Sequence, residues 1–177
     1  HKALGRNNTK AFSELMRKNT IHSKCIARAP FDPTDTWSYY HAIYNPSITY
    51  PFPSYVLSNS RCETLQVQVK KAVLPKCEYN RCTPNAVTCG HSDFAGIELR
   101  TMEVEQGMAQ LQSFILCLRS EGVPCKLAMI AQSWAQHIAG TSKPIFEDVH
   151  TALPHLYPMM WIPAIRNFLA TLGGTLE

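Results

Sequence analysis

The chain has 177 residues, a net charge of +4 at pH 7, 45% hydrophobic residues and 17% charged residues. This length suffices for one domain with a buried core, and the composition excludes an intrinsically disordered chain. The sequence has no apolar run long enough to span a bilayer and opens with no secretory leader, so we expect an intracellular protein, in the nucleus or cytoplasm.

The first predicted helix covers residues 8–28. Its apolar positions fall within an arc of about 100° when the residues are placed on a helical wheel. Asn19 and Ser23 interrupt this arc, so we expect a shallowly packed helix. The apolar positions are Phe12, Leu15, Met16 and Ile26.

Positive charge is concentrated at the amino-terminal end. Residues 1–28 contain seven Lys/Arg and one Glu, a net charge of +6, and residues 61–85 contain five Lys/Arg and two Glu, a net charge of +3. Such clusters are typical of a surface that binds a polyanion. The alternative is a charged surface that is simply solvated and has no partner. The predicted nucleic-acid-binding residues are Lys10, Arg17, Lys24 and Arg28, which share one helical stripe, and Lys70, Lys71, Lys76 and Arg81.

The segment over residues 35–50 predicts a central helix that contains a proline. Asp32 or Thr34 can cap its start. Because Asp32 and Asp35 lie at a helix start, where acidic side chains are favourable, we interpret them as capping residues rather than as metal ligands. Pro46 should kink the helix near Asn45. Both sides of this helix carry apolar residues, so we expect it to be buried, and exposed tyrosines that stack on bases are the alternative. One side carries Trp37, Tyr40, Tyr44 and Ile48, and the other carries Tyr39, Ile43 and Tyr50.

A third helix is predicted from Ser58, or from a Ser60/Glu63 capping box, to Pro75. A turn-rich connector follows over residues 77–100, with a short helix that starts at Thr83–Pro84 and stops at Gly90.

The connector also holds a weak candidate metal site. Cys77, Cys82, Cys89 and His91 would suffice for a tetrahedral zinc, but their spacing matches no common zinc finger, so we expect no metal there. Seven cysteines in all, an odd number scattered along the chain, favour reduced thiols over a disulfide framework.

The carboxy-terminal part, residues 101–177, predicts three more helices. The first is capped by Thr101 and runs to about Ser120, the second runs from Pro124 to Gly140, and the third begins at Pro158. The first should contribute Met102, Met108, Leu111, Phe114, Ile115 and Leu118 to a core, and the last should contribute Trp161, Ile165, Phe168 and Leu169. The predicted fold is therefore an all-α bundle of about five to six helices with a kinked central helix.

Several motifs occur in a characteristic order. They are LG at 4–5, WSYYHAIYNPSITYPFP, PKCEYNR, GHSDFAGIEL, EQGMAQLQSFILCLR, AGTSKPIFE and ALPHLYPMMWIPAIRNFL. This ordered set resembles the stretch that follows the palm in reverse-transcriptase polyproteins of non-long-terminal-repeat retroelements. The resemblance implies that residues 1–76 form a three-helix, thumb-like region and that residues 101–177 form a helical extension, packed with it as one compact unit.

The resemblance carries over to few individual residues. Pro46 and Tyr50 match structural positions of the thumb helix, and Gly96 matches the second glycine of a Gly-Gly pair. Ala95 replaces the first glycine, which raises the question of whether this turn keeps its tight backbone. The remaining matches are Asn80 and Arg81 in an NR turn, Gln106 and Gly107 in a QG pair, and Arg166 in a late IR pair.

The sequence assigns no catalytic residue. It contains no phosphate-binding or dinucleotide-binding glycine motif, no serine or cysteine nucleophile that spacing ties to a histidine, and no paired-aspartate polymerase motif. The resemblance implies that the palm, with its Mg²⁺ and its aspartates, would lie upstream of His1, and that this fragment is inactive alone and needs no cofactor. The predicted function is a non-catalytic segment that binds a template–primer duplex of RNA or DNA beside the upstream fingers and palm. The alternative is a helical protein–protein interaction domain.

Overall fold

The computed structural model describes residues 2–153, 155–156 and 160–176, with side chains from residue 9 onward. The described residues form helices and turns and contain no strand, so the predicted all-α class is confirmed. No described helix has the length and hydropathy required to cross a bilayer. The helices are α1 (Lys2–Arg28), α2 (Pro33–Tyr39), α3 (Asn45–Thr49), α4 (Asn59–Lys76), α5 (Asn85–Cys89), α6 (Met102–Arg119), α7 (Val123–Ala139) and α8 (Trp161–Leu172).

The chain forms two compact units. Unit 1 contains residues 1–51 and 57–105, and unit 2 contains residues 52–56 and 106–177. The turn-rich stretch over 77–100 therefore belongs to unit 1. This division differs from the boundaries predicted at 76/77 and 100/101.

In unit 1, α1 and α4 pack side by side and run in the same direction. The Arg61 guanidinium, near the start of α4, lies 4.9 Å from the centre of the Phe12 ring in the first half of α1. Near their ends, Lys76 Nζ donates a 2.6 Å hydrogen bond to the carbonyl of Ala29. Contacts that advance together along both helices define a parallel pair, which is joined by the α2–α3 segment.

The central segment contains the expected irregularity, in the form of a π-helical turn over Tyr40–Tyr44 between α2 and α3. The amide of Asn45 donates to the carbonyl of Tyr40, five residues earlier. Pro46 has no amide hydrogen, and its ring would collide with a carbonyl one turn back in a regular helix. The wider π turn makes room for the ring, so the segment continues as a helix through the proline.

Burial within this segment is one-sided. Tyr40, Tyr44 and Ile48 are fully buried, as predicted. Ile43 and Tyr50 are 49% and 86% exposed, so the expectation of a helix buried on both sides is wrong. The π turn explains the difference, because an added residue per turn rotates the positions that follow it relative to a regular helical wheel.

Several helices begin or end at the capping residues that the sequence predicts. Asp32 caps α2, and its Oδ1 accepts a 2.7 Å hydrogen bond from the amide of Asp35. Ser58 precedes α4, so the alternative Ser60/Glu63 start is wrong. Gly140 ends α7 in the left-handed conformation that glycine favours, with φ at 67°. α8 begins at Trp161, and the start predicted at Pro158 lies outside the described residues.

Unit 2 has its own apolar core between α6, α7 and α8. The Phe114 ring lies 5.1 Å from Phe146 and 5.7 Å from Trp161, measured between ring centres. Met108 and Leu118 were expected in this core but are 41% and 38% exposed.

Arg166 is buried in unit 2. Its guanidinium donates to the backbone carbonyls of Ile145, Asp148 and Thr151 over 3.2, 2.7 and 2.5 Å. Burial lowers the pKa of Arg166, and the nearby Asp148 partly offsets this effect. Arg166 therefore holds the loop over residues 145–151 against α8.

Candidate nucleic-acid interface

The predicted basic stripe of α1 faces solvent. Lys10, Arg17, Lys24 and Arg28 are all exposed, and they follow one another at intervals of seven, seven and four residues. At about 1.5 Å of rise per residue, the stripe extends over roughly 27 Å. A straight row of cations of this length can follow a nucleic-acid backbone.

One member of the stripe is already paired with a carboxylate. Arg17 donates two hydrogen bonds to Glu14, from Nε over 2.9 Å and from Nη2 over 2.7 Å. This bond to Arg17 lowers the pKa of Glu14 and raises that of Arg17. Within the described residues, Lys10, Lys24 and Arg28 form no ion pair. These three cations are therefore the accessible part of the stripe.

The opposite side of α1 is held by a buried polar network. Asn19 Nδ2 donates to the Leu65 carbonyl over 3.0 Å and to Gln68 Oε1 over 2.9 Å, and Asn19 Oδ1 accepts a 3.0 Å hydrogen bond from the Tyr44 hydroxyl. Asn19 is fully buried and Ser23 is 7% exposed. The prediction of shallow packing is therefore wrong, because Asn19 has hydrogen-bond partners on α4 and on the π turn, and Ser23 is buried although its hydroxyl makes no hydrogen bond within the described residues.

The second predicted basic cluster is largely engaged inside unit 1. Lys70 is only 8% exposed, and its Nζ donates to Asn85 Oδ1 over 2.5 Å and to Thr88 Oγ1 over 2.9 Å. Lys76 is half-buried and bonds the end of α1, as described above. Lys71 and Arg81 are exposed. Of this cluster, only Lys71 and Arg81 remain accessible to an external anion.

Two aromatic side chains of unit 1 project into solvent. Tyr50, at the end of the α3 segment, is 86% exposed, and Phe94, in the turn after α5, is 87% exposed. The resemblance gave Tyr50 a structural role, which such exposure does not support. The sequence analysis did not identify Phe94. An aromatic residue within a polar turn could have indicated this exposed ring.

The turn that carries Phe94 is tightly closed. The amide of Gly96 donates to the carbonyl of His91, and the amide of Glu98 donates to the carbonyl of Gly90, each over 3.0 Å. A Cβ on Gly96 would lie 2.0 Å from the Gly90 carbonyl oxygen, so only glycine fits there. Ala95 takes the left-handed conformation, with φ at 58°. The turn therefore keeps its tight backbone, although Ala95 replaces the glycine that the sequence resemblance implies at this position.

The four residues of the weak zinc candidate are in different environments. Cys77 is buried, which raises the pKa of its thiol, whereas Cys82 is exposed. Cys89 Sγ accepts a 3.5 Å hydrogen bond from Gln66, and His91 Nδ1 and Nε2 lie 3.3 and 3.5 Å from carboxylate oxygens of Asp93 and Glu98. Across the described ranges, no three His, Cys, Asp or Glu side chains are grouped as metal ligands.

The structure joins a serine to a histidine that the sequence did not connect. His22 Nε2 lies 3.0 Å from Ser47 Oγ, and His22 Nδ1 lies 2.9 Å from the Tyr39 hydroxyl. Ser47 also donates its single proton to the Tyr44 carbonyl over 2.9 Å, so the imidazole is the donor toward Ser47. A nucleophilic serine needs the opposite polarity, because its base must accept the hydroxyl proton.

The pKa shifts of His22 and Tyr39 agree with a structural role for the hydrogen bonds among Ser47, His22 and Tyr39. Burial, reinforced by Lys18, lowers the pKa of His22, and burial raises the pKa of Tyr39 to about 12. Both groups are therefore neutral near pH 7 and act as a hydrogen-bonded link between α1 and the α2–α3 segment.

The comparisons with known proteins add no family and no fold relative. No protein-family model matches the chain, and neither the curated proteins nor the solved structures contain a match.

Proposed function

We propose that unit 1 binds a nucleic-acid duplex through the basic stripe of α1, as a non-catalytic, thumb-like segment of an RNA-directed DNA polymerase from a retroelement. The observation that carries the duplex-binding part is the exposure of Lys10, Lys24 and Arg28 along one face of a helix whose other face is buried. The assignment to a reverse transcriptase rests on the ordered sequence motifs.

The chemistry of the stripe favours contacts with phosphates over contacts with bases. Lysine and arginine on a straight helix face, without an accompanying set of Asn or Gln aimed at one groove, neutralise backbone charge and position a duplex. Tyr50 and Phe94 supply two exposed rings that suit stacking on an unpaired base. Binding should therefore depend steeply on salt and little on sequence.

The polymerase context implies further partners and a location. The fingers and palm of the same polyprotein would flank this segment, the aspartates that hold Mg²⁺ would lie in the palm, and the segment itself would need no cofactor. A polymerase of this class works on template in the nucleus or cytoplasm.

The first experiment removes the accessible cations together. The triple variant Lys10→Gln/Lys24→Gln/Arg28→Gln should keep the fold, because the three side chains are exposed. Each phosphate contact contributes a slope of about −0.9 in log K against log salt, so the slope should flatten by roughly two to three units. The readout is fluorescence anisotropy of a labelled duplex over a series of salt concentrations.

A matched control removes three exposed cations of unit 2. Lys126, Lys143 and Arg119 are exposed, and changing all three to Gln lowers the net charge by the same amount. Arg166 is unsuitable as a control cation because it is buried and holds a loop. Equal losses from both triple variants would reduce the effect to net charge and contradict the proposed interface.

A second experiment should increase binding. Glu14→Gln removes the carboxylate that pairs with Arg17 and leaves Arg17 available to a phosphate. We expect a salt slope steeper by about one unit and tighter binding at low salt. Glu63→Gln is the control, because Glu63 is exposed on α4 and its replacement changes the net charge equally without freeing Arg17.

The alternative function, a helical protein–protein interaction domain, has one observation in its favour, which is a row of exposed apolar residues on α7. Absence of duplex binding by the parent chain at low salt would favour that alternative.

A further inference from the structure

The exposed apolar row of α7 has the spacing of a helix–helix seam. Val123, Leu127, Ile130 and Trp134 follow at intervals of four, three and four residues, which is the heptad pattern of paired helices. Their exposed fractions are 68, 60, 53 and 62%. Single exposed apolar residues are common on protein surfaces, but a continuous heptad row marks an interaction site.

An apolar groove of about 450 Å³ lies beside the amino-terminal half of this row. Val123 and Leu127 form one wall, and Ala131 and Trp161 also line it. The groove is therefore next to one end of the row, whereas the exposed indole of Trp134 stands at the other end. A groove and a large apolar side chain at opposite ends of one helix face complement each other when two copies of the helix pack antiparallel.

We propose that α7 pairs with α7 of a second copy of this chain, antiparallel about a twofold axis. In this register Val123 faces Trp134 of the second copy and Leu127 faces Ile130 of the second copy, so each Trp134 packs at the groove of its partner. An isologous contact of this kind closes on itself and gives a dimer.

The low charge of α7 favours a second copy of the chain over an anionic partner. Lys126 is the helix's single Lys or Arg, and the helix contains no Asp or Glu. Such a surface has too little positive charge to bind a polyanion. Two copies of it repel each other little, because antiparallel pairing separates the two Lys126 side chains along the helix axis.

The area also fits a weak dimer. The four side chains of the row present on the order of 400 Å² of apolar surface per copy. Two copies then bury on the order of 800 Å², which is the size of a weak, transient interface.

Sedimentation velocity of the full chain over a concentration series tests the dimer. Leu127→Glu should raise the dissociation constant at least tenfold. Met129→Glu is the matched control, because Met129 is 56% exposed on the same helix but lies off the row. A chain that stays monomeric at the highest soluble concentration, or equal effects of the two variants, would overturn the proposal.

A pair of charged variants tests the orientation. Val123→Lys and Trp134→Glu should each be monomeric alone, because each places a charge against an apolar partner. Mixing them should restore a heterodimer, since Lys at 123 of one copy would face Glu at 134 of the other. A parallel pair would give no such recovery and would contradict the antiparallel arrangement.

Discussion

Replacing Ala95 by glycine should stabilise unit 1. Ala95 lies in the turn between α5 and α6 with φ at 58° and ψ at 26°, and its amide donates a 3.0 Å hydrogen bond to the Ser92 carbonyl. In this left-handed region the Cβ of an L-residue crowds the following carbonyl, at a cost of roughly 1–2 kcal/mol. Glycine removes that crowding and keeps the backbone where it is.

The expected gain is smaller than the strain itself. Glycine also gives the unfolded chain more freedom, which costs about 0.4–1 kcal/mol. The difference leaves a net stabilisation of about 0.5–1 kcal/mol. For a unit of about 100 residues, this corresponds to a rise in the unfolding midpoint of roughly 2–8 °C.

Thermal and urea unfolding of the full chain, followed by circular dichroism, measure this change. Ala11→Gly is the control, because Ala11 lies inside α1 with ordinary helical geometry, and glycine there should cost about 1 kcal/mol. A lower midpoint for Ala95→Gly would refute the left-handed assignment. Gly96→Ala checks the same turn, and it should destabilise strongly because its Cβ would overlap the Gly90 carbonyl.

Three further outcomes are expected from urea unfolding. Tyr44→Phe should lower the free energy of unfolding by about 1–2 kcal/mol, because Asn19 Oδ1 would lose its buried donor. Arg166→Met should lower it by more than about 2 kcal/mol, since three backbone carbonyls lose their donor; Arg166→Lys, which retains a donor, should lose less. Burial lowers the pKa of both His22 and His41 below 6.5, so the unfolded state binds their protons more tightly, and the free energy of unfolding should fall as the pH decreases below about 6.5. Changing both histidines to Gln should flatten this pH dependence.

The parts of the fold that follow from local chemistry were predictable from the sequence. Asp32 as a cap, Pro84 and Gly90 around α5, and Gly140 after α7 each act on the backbone within a few residues. The π turn was only partly predictable. Pro46 indicated an irregularity, but whether a helix kinks or widens there depends on which rings must be buried against α1 and α4.

The features that the sequence did not predict depend on distant partners. In the sequence, Asn19 looks like a break in an apolar face. In the structure, it is hydrogen-bonded to Leu65, Gln68 and Tyr44. Lys70 likewise reads as a surface charge, although it is buried against α5. A polar residue on a helix is compatible with either environment, and the difference is set by residues 15 to 49 positions away.

The same reasoning sets an upper limit on the proposed nucleic-acid contact. Of the eight cations predicted from the sequence, Lys70 and Lys76 are used inside unit 1 and Arg17 is paired with Glu14. The five that remain exposed and without an ion pair among the described residues are Lys10, Lys24, Arg28, Lys71 and Arg81. If all five contacted phosphates, they would give a salt slope of about −4.5, and Glu14→Gln would extend it to about −5.4. Lys70→Gln should leave that slope unchanged while it destabilises unit 1, whereas an equal loss of slope from Lys70→Gln and Lys24→Gln in folded protein would show that exposure does not decide which cations meet the duplex.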